Sequence, residues 1–159
     1  MARSPIRSRA AIRGHPLHPV LIHLPIAALL MLAGSDLGYL ITHDPFWARA
    51  GLWLAGIGTV LGATSGVAGA VDLITVARIR RLVTAWAHAL LAVMLLSLAS
   101  LNFLLRLNDS VAYLLPWGLY LSLLSAVLIQ VTGLLGGQLV YEYAVGVDFE
   151  EATTRDVKP

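Results

Sequence analysis

Residues 14–41 read GHPLHPVLIHLPIAALLMLAGSDLGYLI. From Val20 onward this stretch is almost continuously apolar, and its only acidic residue is Asp36. A helix needs about 20 mostly apolar residues to cross a hydrocarbon layer about 30 Å thick. The stretch therefore predicts a membrane-spanning helix that begins just after two His-Pro dipeptides.

The rest of the chain has the same character. Of its 159 residues, 58% are hydrophobic and 13% are charged, and the mean hydropathy is +0.78, which is far from the average of soluble domains. Four segments are long and apolar enough to span a membrane: 20–41, 50–74, 83–105 and 113–141. The predicted fold is an all-α membrane protein, with a single transmembrane domain at 14–143 that forms an up-down-up-down four-helix bundle.

Basic residues indicate the orientation of the bundle. They precede the first span, lie between the second and third spans, and follow the fourth: Arg3, Arg7, Arg9, Arg13, Arg78, Arg80, Arg81, Arg155 and Lys158. The other two connections hold only Arg49 and Arg106. Because basic residues favour the cytoplasmic side, both termini are predicted to be cytoplasmic, as a basic tail at 1–13 and an acidic tail at 144–159. The arginines then set the orientation of the protein in the membrane and contact anionic lipid, so nucleic acid is not an expected partner.

Several kinds of chemistry have no support in the sequence. The chain has no cysteine, which excludes disulfides, thiolate-bound metals and cysteine-bound iron–sulfur clusters. It also has no phosphate-binding glycine loop, no nucleophile elbow and no His-Glu-x-x-His zinc motif. No catalytic residue is predicted.

Small residues recur every three or four positions along the second span. The series comprises Gly51, Ala55, Gly58, Gly62, Ser65, Gly69 and Asp72. Residues at this spacing share one face of a helix, and small side chains there let helix backbones approach closely in lipid. The series predicts close packing rather than chemistry.

Two histidines are candidates for a cofactor site, with a purely structural role or proton handling as the alternatives. His23 and His88 are each predicted to lie a short way inside the cytoplasmic ends of the first and third spans. Those two spans are commonly diagonal in such a bundle, so the imidazoles would face each other as axial ligands suit haem b. Asp72 would accept the proton of one imidazole's other nitrogen. His88, Asn102 and Arg106 share a stripe; the first two are expected to point inward and Arg106 to extend outward to water.

The His-Pro dipeptides allow a second kind of site. Proline disfavours the α conformation of the residue before it, so His15 and His18 are expected in extended backbone with their imidazoles on one side. They would form a metal site with His23 or line a proton path; alternatively the segment is a rigid lead-in with its imidazoles among lipid headgroups. Asp36 lies near the outer interface, where a structural role is favoured.

The motifs that carry a family resemblance are GHPLHP at 14–19, HLP at 23–25, GLLGGQLVYE at 133–142 and VGV at 145–147, together with Asp36, Gly69, Asp72, His88 and Asn102. Over residues 14 to 148 the chain resembles a bacterial membrane family known as domain of unknown function 2231. The resemblance implies a four-helix fold and a multi-pass location in the bacterial cytoplasmic (inner) membrane. Related domains look to be found joined to Rieske-type iron–sulfur domains, and this association implies a role in electron transfer. The functional residues it implies are His15, His18, His23, Asp72, His88 and Tyr141.

Three functions follow as hypotheses. The leading one is an electron-transfer module in which His23 and His88 bind haem b, or a bare metal ion, and exchange electrons with a redox partner or quinone. The second is a non-catalytic structural or assembly subunit of a larger membrane complex. The third is a small proton or metal transporter, which is weaker because four helices show neither an inverted repeat nor a pair of broken helices.

Overall fold

The structure, a computed structural model, describes residues 4–147, so most of the predicted acidic tail lies outside the described residues. Four segments are long and apolar enough to cross a membrane. They are α1 (Leu17–Thr42), α2 (Pro45–Thr75), α4 (Val83–Asn108), and α5 (Leu119–Tyr141) with the wide helical turn Leu114–Gly118 before it. A short helix, α3 (Ala77–Arg80), connects α2 to α4. The four predicted spans are confirmed as helices.

Three residues at the junction of α1 and α2 explain where the first helix ends and the second begins. His43 takes a left-handed conformation (φ 55°) that ends α1, and the Asp44 carboxylate accepts a hydrogen bond of 2.8 Å from the Phe46 N–H at the start of α2. Pro45 occupies the first turn of α2, where its missing N–H costs nothing. The link between α1 and α2 is therefore only two residues long.

The start of α1 differs from the prediction. The helix begins at Leu17, so His18 is helical rather than extended. Pro19 falls in the first turn, where a backbone N–H has no partner within the helix and proline is tolerated. His18 is therefore helical although the proline that follows it disfavours this backbone conformation.

The four long helices surround one core. Helix α1 packs against α2 and α5, and α4 packs against the same two helices, so that α1 and α4 lie diagonally opposite. A cluster of buried apolar side chains fills the middle: Leu29, Leu32, Ala55, Ala99 and Ile129. The small residues of α2 face this interior, and a Cβ atom at Gly58 would come within 2.5 Å of the Leu29 side chain. The predicted close packing along α2 is confirmed.

Residues 4–16, which we call the N-terminal strap, lie across one end of the bundle. The strap contains a hairpin of β1 (Ala11–Ile12) and β2 (His15–Pro16), whose turn residues Arg13 and Gly14 both have positive φ, as a two-residue hairpin favours. Ile6 is buried against Ile79 and Ala85, and its backbone bonds to Ala144 and Gly146 at 2.9 and 2.8 Å. Residues 4–13 therefore pack on the helices.

Candidate functional site

Two histidines meet inside the end of the bundle that the strap covers. His18 lies in the first turn of α1 and His88 in the second turn of α4, and both side chains are half-buried. Their ring centroids are 6.0 Å apart and their planes are perpendicular. Because α1 and α4 are diagonal, the pair spans the interior between the two remaining helices.

Each imidazole is held through its Nδ1 atom. Nδ1 of His18 lies 2.9 Å from the carbonyl oxygen of Ser65 on α2, and Nδ1 of His88 lies 3.0 Å from the carbonyl oxygen of Thr132 on α5. A carbonyl only accepts hydrogen bonds, so these contacts assign the proton of each neutral ring to Nδ1. The other ring nitrogen, Nε2, then carries a lone pair, and no hydrogen bond described within residues 4–147 uses it.

Glycines let the two rings approach the helix backbones. A Cβ atom at Gly69 would come within 3.1 Å of the His18 ring, and one at Gly136 within 3.3 Å of the His88 ring. The hydroxyl of Thr132, beside His88, is buried and has no hydrogen-bond partner among the described residues. The rings are thus surrounded by small side chains on α2 and α5.

His23 is not part of this pair. Its side chain is exposed, and its Nδ1 lies 3.4 Å from the Val20 carbonyl of the same helix. Five residues along a helix rotate a side chain by about 140° relative to His18, which turns His23 away from the interior. The expectation that His23 faces His88 is therefore wrong, and His18 takes that position.

The predicted cluster of His15, His18 and His23 does not assemble either. The His15 side chain is exposed and its Nδ1 lies 3.1 Å from the Arg13 carbonyl. Within residues 4–147, no three His, Asp or Glu side chains are grouped closely enough to hold a metal ion. Tyr141, at the end of α5, is 90% exposed.

Asp72 binds the N-terminal strap. Its carboxylate accepts hydrogen bonds from the Ser8 hydroxyl at 2.5 Å and from the backbone N–H groups of Arg9 and Ala10 at 2.7 and 2.9 Å. The predicted bond from an imidazole to Asp72 is not found among these contacts. Asp72 instead fastens the strap to the end of α2 above the histidine pair.

Replacing Asp72 with alanine is expected to release the strap. Two backbone N–H groups and a hydroxyl lose a charged acceptor, and a hydrogen bond to a charged group contributes about 1.5–3 kcal/mol. Amide hydrogen exchange at Arg9 and Ala10 should accelerate at least tenfold in Asp72→Ala. Asp109→Ala is the matched control, because Asp109 also accepts from two backbone N–H groups, in the loop after α4. Equal protection of the strap in both variants would contradict the role of Asp72.

A second polar cluster lies inside the opposite end of the bundle. Arg106 is fully buried, and its Nη2 lies 2.7 Å from Oδ2 of Asp36, which is also fully buried. Arg106 Nε donates to Oδ1 of Asn102 at 2.7 Å, and the Ser122 hydroxyl donates to Asp36 at 2.6 Å. Asn102 also donates to the Gly118 carbonyl at 3.1 Å. All these groups lie away from water.

This cluster overturns the expectation that Arg106 extends outward to water. The physical reason is the Asp36 carboxylate on the diagonal helix, which supplies an opposite charge inside the bundle. The signal in the sequence was the spacing of Asn102 and Arg106, four residues apart on the inward stripe of α4. An intramembrane charge is stable mainly when it finds such a partner.

One protein-family model matches most of the chain. The family model described as "Predicted membrane protein (DUF2231)" matches residues 14–149. The chain belongs to this family. The DUF2231 match includes the histidine pair, Asp72 and the Asp36–Arg106 cluster, and it begins inside the strap at Gly14. Neither the curated proteins nor the solved structures contain a significant match to this DUF2231 protein.

Proposed function

We propose that this DUF2231 protein is an electron-transfer module of the bacterial inner membrane, in which His18 and His88 bind the iron of haem b or a bare metal ion. The observation that carries the proposal is the pair of imidazoles on diagonal helices, with each Nδ1 donating to a backbone carbonyl. Metal-binding histidines commonly hold their second nitrogen in this way, which fixes the ring and raises the basicity of the metal-binding nitrogen.

The separation of the rings fits two ligands on one metal. An imidazole nitrogen binds a metal ion at about 2.0–2.1 Å. Two imidazoles on opposite sides of one ion therefore have their centroids about 6 Å apart, once the size of each ring is added. The distance between His18 and His88 is 6.0 Å.

The proposal is also supported by the side chains of α2 and α5, the two helices beside the histidine pair. At that level these helices carry small residues: Gly62, Ser65, Gly69, Thr132 and Gly136. When bound, the iron supplies one-electron chemistry, and the chain supplies the two imidazoles and an apolar enclosure.

The proposed topology is up-down-up-down with both termini in the cytoplasm. Contacts between α1 and α2 support antiparallel helices, because His18 lies against Ser65 while Ser35 donates to the Trp47 carbonyl at 2.7 Å. The arginines of the strap and of α3 lie at the histidine end. By the distribution of basic residues, that end faces the cytoplasm, where a soluble redox partner or a quinone at the interface would exchange electrons.

The test is an oxidised-minus-reduced visible spectrum of the full chain, purified after expression with haem supply. Wild-type protein should show a Soret band and sharp reduced bands at about one haem per chain. His18→Ala and His88→Ala should each lose at least nine-tenths of this absorbance, because one imidazole cannot hold the iron from both sides. The matched control is His23→Ala, which removes an exposed histidine of the same helix and should keep the full spectrum.

Two results would overturn the proposal. One is a wild-type spectrum without haem bands, together with a metal analysis that finds no bound ion. The other is a spectrum that is unchanged in both His18→Ala and His88→Ala. A loss in His23→Ala that matches the loss in His18→Ala would contradict the choice of ligand.

A structural or assembly subunit is the second candidate. Gly66 on α2 and Gly133 on α5 face outward, and a Cβ atom at either position would meet no heavy atom within 4 Å. Small outward residues allow another membrane helix to pack closely. Co-purification of one membrane partner per chain, without a chromophore, would favour this function over electron transfer.

A further inference from the structure

A surface pocket lies beside the strap at the histidine end of the bundle. Its volume is about 290 Å³, and it is lined by Ser4, Ile6, Arg78, Arg81, Leu82 and Tyr143. The lining includes two arginines and two hydroxyl-bearing residues, and none of the six is acidic. The pocket therefore combines a mainly apolar lining with two guanidinium groups.

Arg78 is held in a defined position in this pocket. Its Nη1 donates to the Pro5 carbonyl at 3.0 Å, and its Nη2 donates to the Ser4 carbonyl at 3.0 Å and the Ser4 hydroxyl at 3.1 Å. Arg81 is exposed, and no hydrogen bond described within residues 4–147 engages its guanidinium. A guanidinium offers planar donors that match the oxygens of a phosphate group, so one arginine is oriented and the other is available.

The position of the pocket relative to the membrane favours a lipid as its ligand. Arg78 and Arg81 lie in the short connection between Thr75, where α2 ends, and Val83, where α4 begins. Two membrane-spanning helices thus end within a few residues of the pocket, which puts it at the level of lipid headgroups. Just below it, Val83 is 83% exposed and Trp86 is 51% exposed, as lipid-facing residues of α4.

We propose that this pocket binds the phosphate of an anionic phospholipid, with Arg78 and Arg81 on the phosphate oxygens and the acyl chains along the apolar start of α4. Free phosphate has the same oxygen chemistry, but it makes no use of the apolar walls formed by Ile6 and Leu82. Arginines of the strap that do not line the pocket add to the positive potential at this end and attract anionic lipid.

The test is native mass spectrometry of the detergent-purified full chain, titrated with phosphatidylglycerol, phosphatidylcholine or inorganic phosphate. We expect phosphatidylglycerol to bind the wild type at least about tenfold more tightly than phosphatidylcholine, and about tenfold more weakly in Arg81→Gln. The matched control is Arg80→Gln, which removes the same charge from the neighbouring residue, whose Nη1 instead donates to the Ile74 carbonyl at 2.9 Å. Arg80→Gln should retain the wild-type affinity.

Each other outcome overturns the proposal. Equal affinities in Arg81→Gln and Arg80→Gln would show a general charge effect rather than a site. Equal binding of both lipids would show that the headgroup is not recognised, and competition by millimolar inorganic phosphate would identify a free-phosphate site. If Arg81→Gln does not fold, Arg78→Lys serves instead; it keeps the charge but loses the paired donors, and unchanged affinity there would also contradict the site.

Discussion

Replacing Asp36 with leucine is expected to lower the free energy of unfolding by about 3–5 kcal/mol, because the substitution leaves the charge of Arg106 buried without a counterion. Both side chains are fully buried, and their closest approach is 2.7 Å. The loss includes the bond that Ser122 donates to Asp36. Replacing Arg106 with methionine should have an effect of similar size, because it leaves the Asp36 carboxylate buried without a counterion.

A double-mutant cycle separates the ion pair from simple loss of packing. In Asp36→Leu/Arg106→Met no buried charge remains, so the double variant is expected to be more stable than either single variant. The measurement is the unfolding midpoint in mixed micelles with increasing denaturing detergent. Additive losses in the double variant would contradict a direct pair, and near-wild-type stability of Asp36→Leu would show that the pair contributes little.

Gly51→Ala is expected to destabilise the bundle by about 2–3 kcal/mol, because the added methyl group overlaps the buried arginine. A Cβ atom at Gly51 would lie 2.6 Å from Nη1 of Arg106 and 3.3 Å from Oδ1 of Asp36. The guanidinium cannot easily move aside, since its Nε is bonded to Asn102 and its Nη2 to Asp36. The methyl group must therefore break the ion pair or separate α2 from α4.

Gly66→Ala is the matched control for Gly51→Ala. It makes the same chemical change on the same helix, at a position where a Cβ atom would meet nothing within 4 Å. Alanine is a better helix former than glycine, so Gly66→Ala should be neutral or slightly stabilising. If thermal unfolding shows the same midpoint for the two variants, the overlap with Arg106 is not the determining effect.

The four spans could be predicted from the sequence because they depend on one physical quantity, the length of continuous apolar chain. The inward position of Asn102 followed from the same reasoning, since a polar side chain in lipid turns toward the protein. The small-residue face of α2 was also readable, because it repeats at the period of a helix.

The histidine pair was not predictable in the same way. His23 faces outward wherever α1 begins, because it is helical in either case. His18 joins the interior face only because α1 begins at Leu17, although Pro19 disfavours a helical conformation of the residue before it. Eighteen residues, which make five full turns, separate His18 from Asp36, so the two share a face only if the helix extends to His18.

The partners of the charged residues depend on tertiary structure. Asp36 and Arg106 are 70 residues apart in sequence, and Asp72 and Ser8 are 64 residues apart. Local patterns indicate that such a charge needs a partner, but they do not identify it. From the sequence alone the strap looks like a free basic tail. The contacts that fix it come from distant parts of the chain, the Asp72 carboxylate on α2 and the backbone after α5.

The apolar layer of Leu29, Leu32, Ala55, Ala99 and Ile129 separates the histidine pair from the Asp36–Arg106 cluster. An ion entering this layer would lose its hydration without gaining polar ligands, which is a large electrostatic barrier. A single bundle is therefore an insulator for ions along its axis. Under the proposed electron-transfer function, charge would therefore enter and leave at the strap end, and turnover at the histidines would carry no ion through the apolar layer.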